Sequence, residues 1–192
     1  NHPWAATYFD DQVSPAEGTS SEEFYQIYHK FGYDQAVSRA SDSLSYVYRL
    51  DEKYWLMMLD SCMCEPVHET GGKLSEETVA WMKTQLEEAK KQGVTVIPVS
   101  HHNLLDESTL YPEECTIENT KEVTALLEAY GVPVYLSGHL HLQRIKKHTS
   151  NLNTPGGYGI REIVTSPLPM APCQYSILNW QADGSLSYHT KK

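Results

Sequence analysis

Between residues 76 and 141 the chain twice runs a helical pattern straight into a short buried strand, and this constrains the fold more than any other stretch. Ser75 stands where an N-cap belongs, and Glu76 and Glu77 occupy the first turn. Val79, Met82, Leu86 and Ala89 recur at helical spacing, and Lys90 and Lys91 precede Gly93 as the stop. A strand over 94–99 follows, in which Pro98 implies an edge, a bulge or an early end. A second helix near 118–130 turns Val123, Leu126, Leu127 and Tyr130 inward and stops at Gly131. The strand over 132–137 then enters Gly138-His139-Leu140-His141. A crossover through a helix makes the two strands parallel, and open α/β sheets bind ligands at the carboxyl ends of such strands. Both strands end in histidine, so His101, His139 and His141 are expected at one edge.

On extended backbone, His139 and His141 would leave the same face, roughly 6–7 Å apart. Gly138 would let a ligand or ion approach the backbone. Solvated strand-end histidines are the plain alternative for one such pair. Three histidines converging from two strands are hard to explain as surface decoration. Imidazole donors suit zinc, iron or manganese rather than calcium or magnesium.

The rest of the chain frames this block. Residues 5–19 are polar and turn-rich and read as a surface loop. Ser20-x-x-Glu23 is a capping box, followed by Phe24, Ile27, Tyr28 and Phe31 at helical spacing and Gly32 as a stop. Asp34 opens a short second helix through Ala40. Two β-like runs, 44–50 and 54–60, flank Asp51-Glu52-Lys53 as a hairpin. From Gln143 onward the pattern is β, with runs at 160–165, 175–180 and 186–189. The glycine-rich 156–159 precedes a strand, so it is a loop signal and no dinucleotide motif.

With 192 residues, the chain suits one domain, 1–192, with a substantial core. A net charge of −10 argues against nonspecific nucleic-acid binding, which needs a basic surface. It would also repel a phosphorylated substrate unless bound cations offset it. No apolar stretch is long enough for a membrane span. Cys62, Cys64, Cys115 and Cys173 have neither zinc-ribbon nor CxxC spacing and are expected as free thiols.

Among hydrolases with His-x-His motifs, a metallo-β-lactamase pattern wants an acid and a histidine where Gln143 and Arg144 stand. An amidohydrolase places its pair on the first strand. The histidine after a buried strand (His101) and Gly138-His139-Leu140-His141 instead resemble the late motifs of the calcineurin-like metallophosphoesterase superfamily. Segments 23–33, 43–46, 59–61 and 163–167 look like bacterial members of that group. The resemblance implies the C-terminal part of an α/β sandwich in α/β/β/α layers, lacking its first strands. It also implies a two-metal centre of Mn, Fe or Zn that hydrolyses phosphomono- or phosphodiesters. His101 and His139 would bind one metal and His141 the other. His102 would be supporting or substrate-facing, or else a solvated loop histidine.

The family's Asp-x-His and Gly-Asp-x-x-Asp/Asn motifs have no equivalent here. Asn1-His2 is either a remnant of Gly-Asn-His-Asp/Glu, with Pro3 in place of the acid, or the loop after it. The expectation is therefore a phosphoester hydrolase in the intact parent and near inactivity for this chain, bacterial and either cytoplasmic or exported. The alternative is a non-catalytic metal-binding or interaction fragment. An exposed apolar sheet edge, covered by a homodimer or a swapped assembly, is expected too.

Overall fold

The computed structural model describes residues 5–10, 12–16, 18–64, 69–106, 114–149, 159–171, 173–181 and 183–192. In chain order the elements are β1 (Ala5–Phe9), β2 (Gln12–Ala16), α1 (Ser21–Tyr28), a 3₁₀ turn (Tyr33–Gln35), β3 (Ser38–Arg39), β4 (Tyr46–Arg49) and β5 (Tyr54–Leu59). They continue with β6 (Cys62–Met63), β7 (Glu69–Gly72), α2 (Glu76–Gln92), β8 (Thr95–Ser100), α3 (Thr120–Ala129) and β9 (Val134–Ser137). The last are β10 (Arg144–Lys147), β11 (Arg161–Val164), β12 (Tyr175–Trp180) and β13 (Leu186–Lys191).

The expected α/β class holds. A seven-stranded sheet runs in the order β10-β11-β9-β8-β5-β4-β3. Its four central strands, β5, β8, β9 and β11, are parallel, and β10, β4 and β3 are antiparallel to their neighbours. Helix α2 connects β5 to β8, and α3 connects β8 to β9, so the sheet needs both crossovers.

The ends of α2 follow from its sequence. The Ser75 side chain accepts the Thr78 N–H at the N-terminus, and Gly93 closes the C-terminus at φ 69°, a left-handed conformation costly for other residues. Its expected stripe Val79, Met82, Leu86 and Ala89 is buried together with Thr78. These side chains share one core with Trp55, Met57, Val96, Leu127 and Tyr135. Truncating a buried leucine such as Leu86 to alanine in a core of this kind costs about 2–5 kcal/mol. On the other cluster, Ile97, Val134 and Ile163 meet Leu178, Trp180, Leu186 and Tyr188 of the β12–β13 hairpin.

Four expectations change. Residues 5–9 and 12–16 pair as an antiparallel hairpin, Phe9 with Gln12, and Asp10 adopts φ 48°. Aspartate tolerates that conformation, and polarity alone had suggested a loop. The helix expected over 34–40 stops after one 3₁₀ turn, because Val37 N–H donates to Val47 and Ser38–Arg39 pair with β4. Pro98 lies in a central strand. The ladder from β8 to β5 runs over six residue pairs and that to β9 over one, Val99 with Leu136, so the missing Pro98 N–H coincides with sparse pairing. Finally, the sheet edges are the two residues of β3 and the basic Arg144-Ile145-Lys146-Lys147, not an apolar strand.

The capping box on α1 is present, with Ser20 and Glu23 bonded reciprocally. Its apolar face is exposed: Ile27 and Phe31 retain 60% and 77% of their accessible surface. None of the described cysteines is in a disulfide, and no helix among the described residues is long and apolar enough to cross a membrane.

Candidate metal centre

Three neighbouring parallel strands deliver their carboxyl ends to one place. From β5 the chain leaves through Asp60 and Ser61, from β8 through His101 and His102, and from β9 through Gly138 and His139. The Gly138 N–H donates to the His101 carbonyl at 3.0 Å, fastening the second of these exits to the third.

His139 and His141 do not lie on extended backbone. Their φ values are 61° and 53°, and Leu140 N–H donates to the Gly138 carbonyl at 2.7 Å. A hydrogen bond from i+2 to i across a residue of positive φ is the γ-turn pattern, rare and strained for a residue with a side chain. The chain thus turns at His139 instead of presenting both imidazoles on one strand face. The positive-φ backbone sits one residue after Gly138, and a Cβ on Gly138 would meet only the His101 carbonyl, at 3.8 Å.

The turn brings His139 Nδ1 to 3.1 Å from His101 Nε2, with the two rings nearly perpendicular. Two nitrogens at 2.0–2.1 Å from one ion lie about 2.9–3.4 Å apart for right-angled to tetrahedral coordination. The pair therefore fits a single transition-metal ion. Desolvation, followed by the neighbouring imidazoles of His102 and His139, pushes His101 down to about 4. It is thereby held neutral, as a ligand must be. His101, His102 and His139 together place one nitrogen each within 4.8 Å of one another, and no carboxylate or thiolate belongs to that group among the described residues.

His102 belongs to the cluster but is differently employed. It is fully buried, its Nε2 lies 2.9 Å from the Thr70 carbonyl, and its Nδ1 lies 2.8 Å from Ser61 Oγ. A carbonyl only accepts, so Nε2 carries the proton and Nδ1 accepts from the serine hydroxyl. Both nitrogens are thus engaged, and burial lowers the pKa and keeps the ring neutral. A Cβ added to Gly72 would collide with this ring. His102 therefore ties β7 to the site.

His141 is exposed and stands outside the close group, although its charge is felt by His101. Asn1 and His2 lie outside the described residues.

Glu162 is the residue that sequence reasoning missed. It is fully buried in β11, where Oε1 accepts from the Leu104 N–H at 2.7 Å and the Ser137 hydroxyl at 2.6 Å, and Oε2 from the Leu105 N–H at 2.6 Å. Asn103 Nδ2 completes the network, 2.9 Å from Ser137 Oγ and 3.4 Å from Glu162 Oε1. One carboxylate thus fastens the loop after His102 to the residue before Gly138. The signal was a lone acid inside an apolar strand, Ile160-Arg161-Glu162-Ile163-Val164. Gln143 does a similar task on the other side, bonding Ser166, Ser176 and Tyr188 just beyond His141.

No family model matches the sequence, and no curated protein matches it. Among solved structures, a dimetal phosphatase from Danio rerio superposes with a TM-score of 0.52 at 15% identity, over 67% of this chain and 51% of that one. At that identity the likeness is one of fold alone, a mixed α/β sheet with helices. The chain spans about half the length of this structural relative.

Proposed function

We propose that the chain carries the histidine side of a metal-dependent phosphoester hydrolase centre, acting on small phosphomono- or phosphodiesters. The observation that carries this reading is the 3.1 Å approach of His101 Nε2 to His139 Nδ1 at the carboxyl ends of adjacent parallel strands. The fold likeness to a dimetal phosphatase supports it. His101 and His139 would hold one ion (manganese, iron or zinc), and His141, beyond the turn, would face a second. A divalent ion bound there supplies Lewis acidity and a hydroxide at neutral pH.

The chain's own residues orient the donors. His102, neutral and bonded at both nitrogens, holds the His101 backbone against β7. Glu162 and Ser137 fix the spacing of the two histidine-bearing loops. The −10 charge makes cations at the site a condition for phosphate to approach.

A second reading, a non-catalytic metal-binding module, is favoured by one observation: among the described residues the close donor group holds imidazoles alone. Two-metal hydrolysis needs ions held about 3.5–4 Å apart, and bridging carboxylates ordinarily set that distance. We therefore expect this chain by itself to bind a metal and turn over little. The experiment pairs equilibrium Mn(II) and Zn(II) binding with hydrolysis of aryl phosphate mono- and diesters. Binding without turnover favours the module. Turnover that persists on purification and is lost in His139→Ala establishes the hydrolase in this chain. Absence of any metal binding removes both readings.

A further inference from the structure

An open cleft of about 430 Å³ lies between α3 and the edge strand β10, and shares Leu105 and Asp106 with the loop that follows the histidines. Its helical wall presents Thr124 and Glu128, one turn apart. Thr124 is 6% exposed and the Glu128 side chain 10%. Thr124 Oγ1 and Glu128 Oε1 are both shielded from solvent without a hydrogen-bond partner. Buried polar atoms are rarely left so, and two on one wall of one cleft point to a missing partner. The nearest opposite group is His148 Nε2, 3.5 Å from Glu128 Oε1, within ion-pair reach but beyond good hydrogen-bond geometry.

The rim has the opposite character. Lys121 stands one turn before Thr124, and Lys146 lies opposite Glu162 in the antiparallel register, which sets it on the sheet face that meets the loop at Leu104 and Leu105. Lys147 and His148 continue the strand. Lys121 and Lys146 thus share the cleft with the carboxylates of Asp106 and Glu128. A volume of this order is that of ordinary small-molecule sites.

We propose that this cleft is a second ligand site, for a small zwitterion with a protonated amine at one end and a phosphate or carboxylate at the other. The ammonium donates to Glu128 Oε1 and Thr124 Oγ1, and the anion meets Lys121 and Lys146. Aminoalkyl phosphates and acidic amino acids share this chemistry.

The test is calorimetric titration of the full chain in EDTA, so that metal at the histidines plays no part. The probes are O-phosphoethanolamine, L-glutamate, ethanolamine and inorganic phosphate. One of the two zwitterions is expected to saturate the protein at least about tenfold more tightly than ethanolamine or phosphate, and which one it is identifies the anion. Glu128→Gln is expected to weaken that zwitterion by about tenfold or more while leaving phosphate unchanged, and Lys146→Ala to weaken both. His139→Ala is expected to change neither. No saturable binding of either zwitterion by a protein shown folded by circular dichroism overturns the proposal. So does binding equalled by phosphate, or binding lost in His139→Ala and kept in Glu128→Gln. A failure here leaves the hydrolase reading standing, since that rests on metal binding at other residues.

Discussion

The Ser137 hydroxyl donates to Glu162 at 2.6 Å, and the same carboxylate holds the Leu104 and Leu105 N–H groups. The distance between two loops, one carrying His101 and the other His139, is therefore set by a residue that touches neither histidine. Removing an acceptor from buried donors leaves them unsatisfied, which costs more than the bond itself. Glu162→Ala is expected to lower stability by about 2–4 kcal/mol in urea unfolding, and Ser137→Ala by about 1–2 kcal/mol. An alanine variant at 162 within half a kcal/mol of the parent, about the scatter of surface substitutions, would show that the clasp carries no load.

The pH dependence of the clasp has an unusual sign for a carboxylate. Burial is the largest influence on Glu162 and raises its pKa from the ordinary 4.5, against the pull of its four donors. Between the unfolded and folded values the native state binds the extra proton, so its stability falls as pH rises. The advantage of wild type over Glu162→Gln, which does not titrate, should shrink as pH is raised from about 4.5 and level off above the folded pKa. Unfolding curves of both proteins across pH 4–8 measure it, pH 4 being near the ordinary carboxylate range and pH 8 well above it. An advantage that widens with pH would mean that the donors outweigh burial.

Gly72 and His102 are coupled by contact. A Cβ at 72 would enter the imidazole ring, which has no free side to move to while Thr70 and Ser61 hold its nitrogens. Gly72→Ala is expected to cost about 1–3 kcal/mol from overpacking. In a His102→Ala background that cost should largely vanish, giving a coupling energy of about 1 kcal/mol or more in the double-mutant cycle. Additive effects would place the strain elsewhere.

The periodic elements were legible because their causes are local. Ser75 and Gly93 bracket α2, and the stripe from Val79 to Ala89 lies on the core as its spacing requires. The convergence of His101 and His139 was also legible, since it follows from a parallel crossover. What the histidines do at the end of the strands was not. The turn at His139 comes from a backbone conformation that a histidine rarely adopts, and His141 stands outside the close group. His102 and Glu162 were opaque for another reason: their partners, Thr70 and Leu104, are 32 and 58 residues away in sequence. Likewise Phe24, Ile27, Tyr28 and Phe31 share a helix face whose exposure is a tertiary fact.

Metal binding is expected to separate the histidines. An ion at one hundred times its dissociation constant adds about 2.7 kcal/mol to stability, a thermal shift of several degrees at this chain length. His101→Ala and His139→Ala are expected to lose the Zn(II)- or Mn(II)-induced shift, whereas His141→Ala, outside the close group, should keep most of it. Loss in His141→Ala with retention in His139→Ala would exchange their assigned roles.

His139 also stores backbone strain that a glycine would not. At φ 61° the side chain is held where non-glycine residues are disfavoured by about 1–2 kcal/mol. His139→Gly relieves that cost and gives up the 3.1 Å approach to His101 and the ring contacts with His101 and His102, in a partly exposed setting where such contacts contribute little. In EDTA, His139→Gly should therefore be as stable as wild type or more stable, by up to about 1 kcal/mol, while His139→Ala should gain nothing. With saturating metal the order should reverse, because only wild type gains the binding energy. A glycine variant less stable than the alanine variant without metal would show that the turn at 139 is not strained. A glycine variant still stabilised by metal would show that His139 is not the ligand.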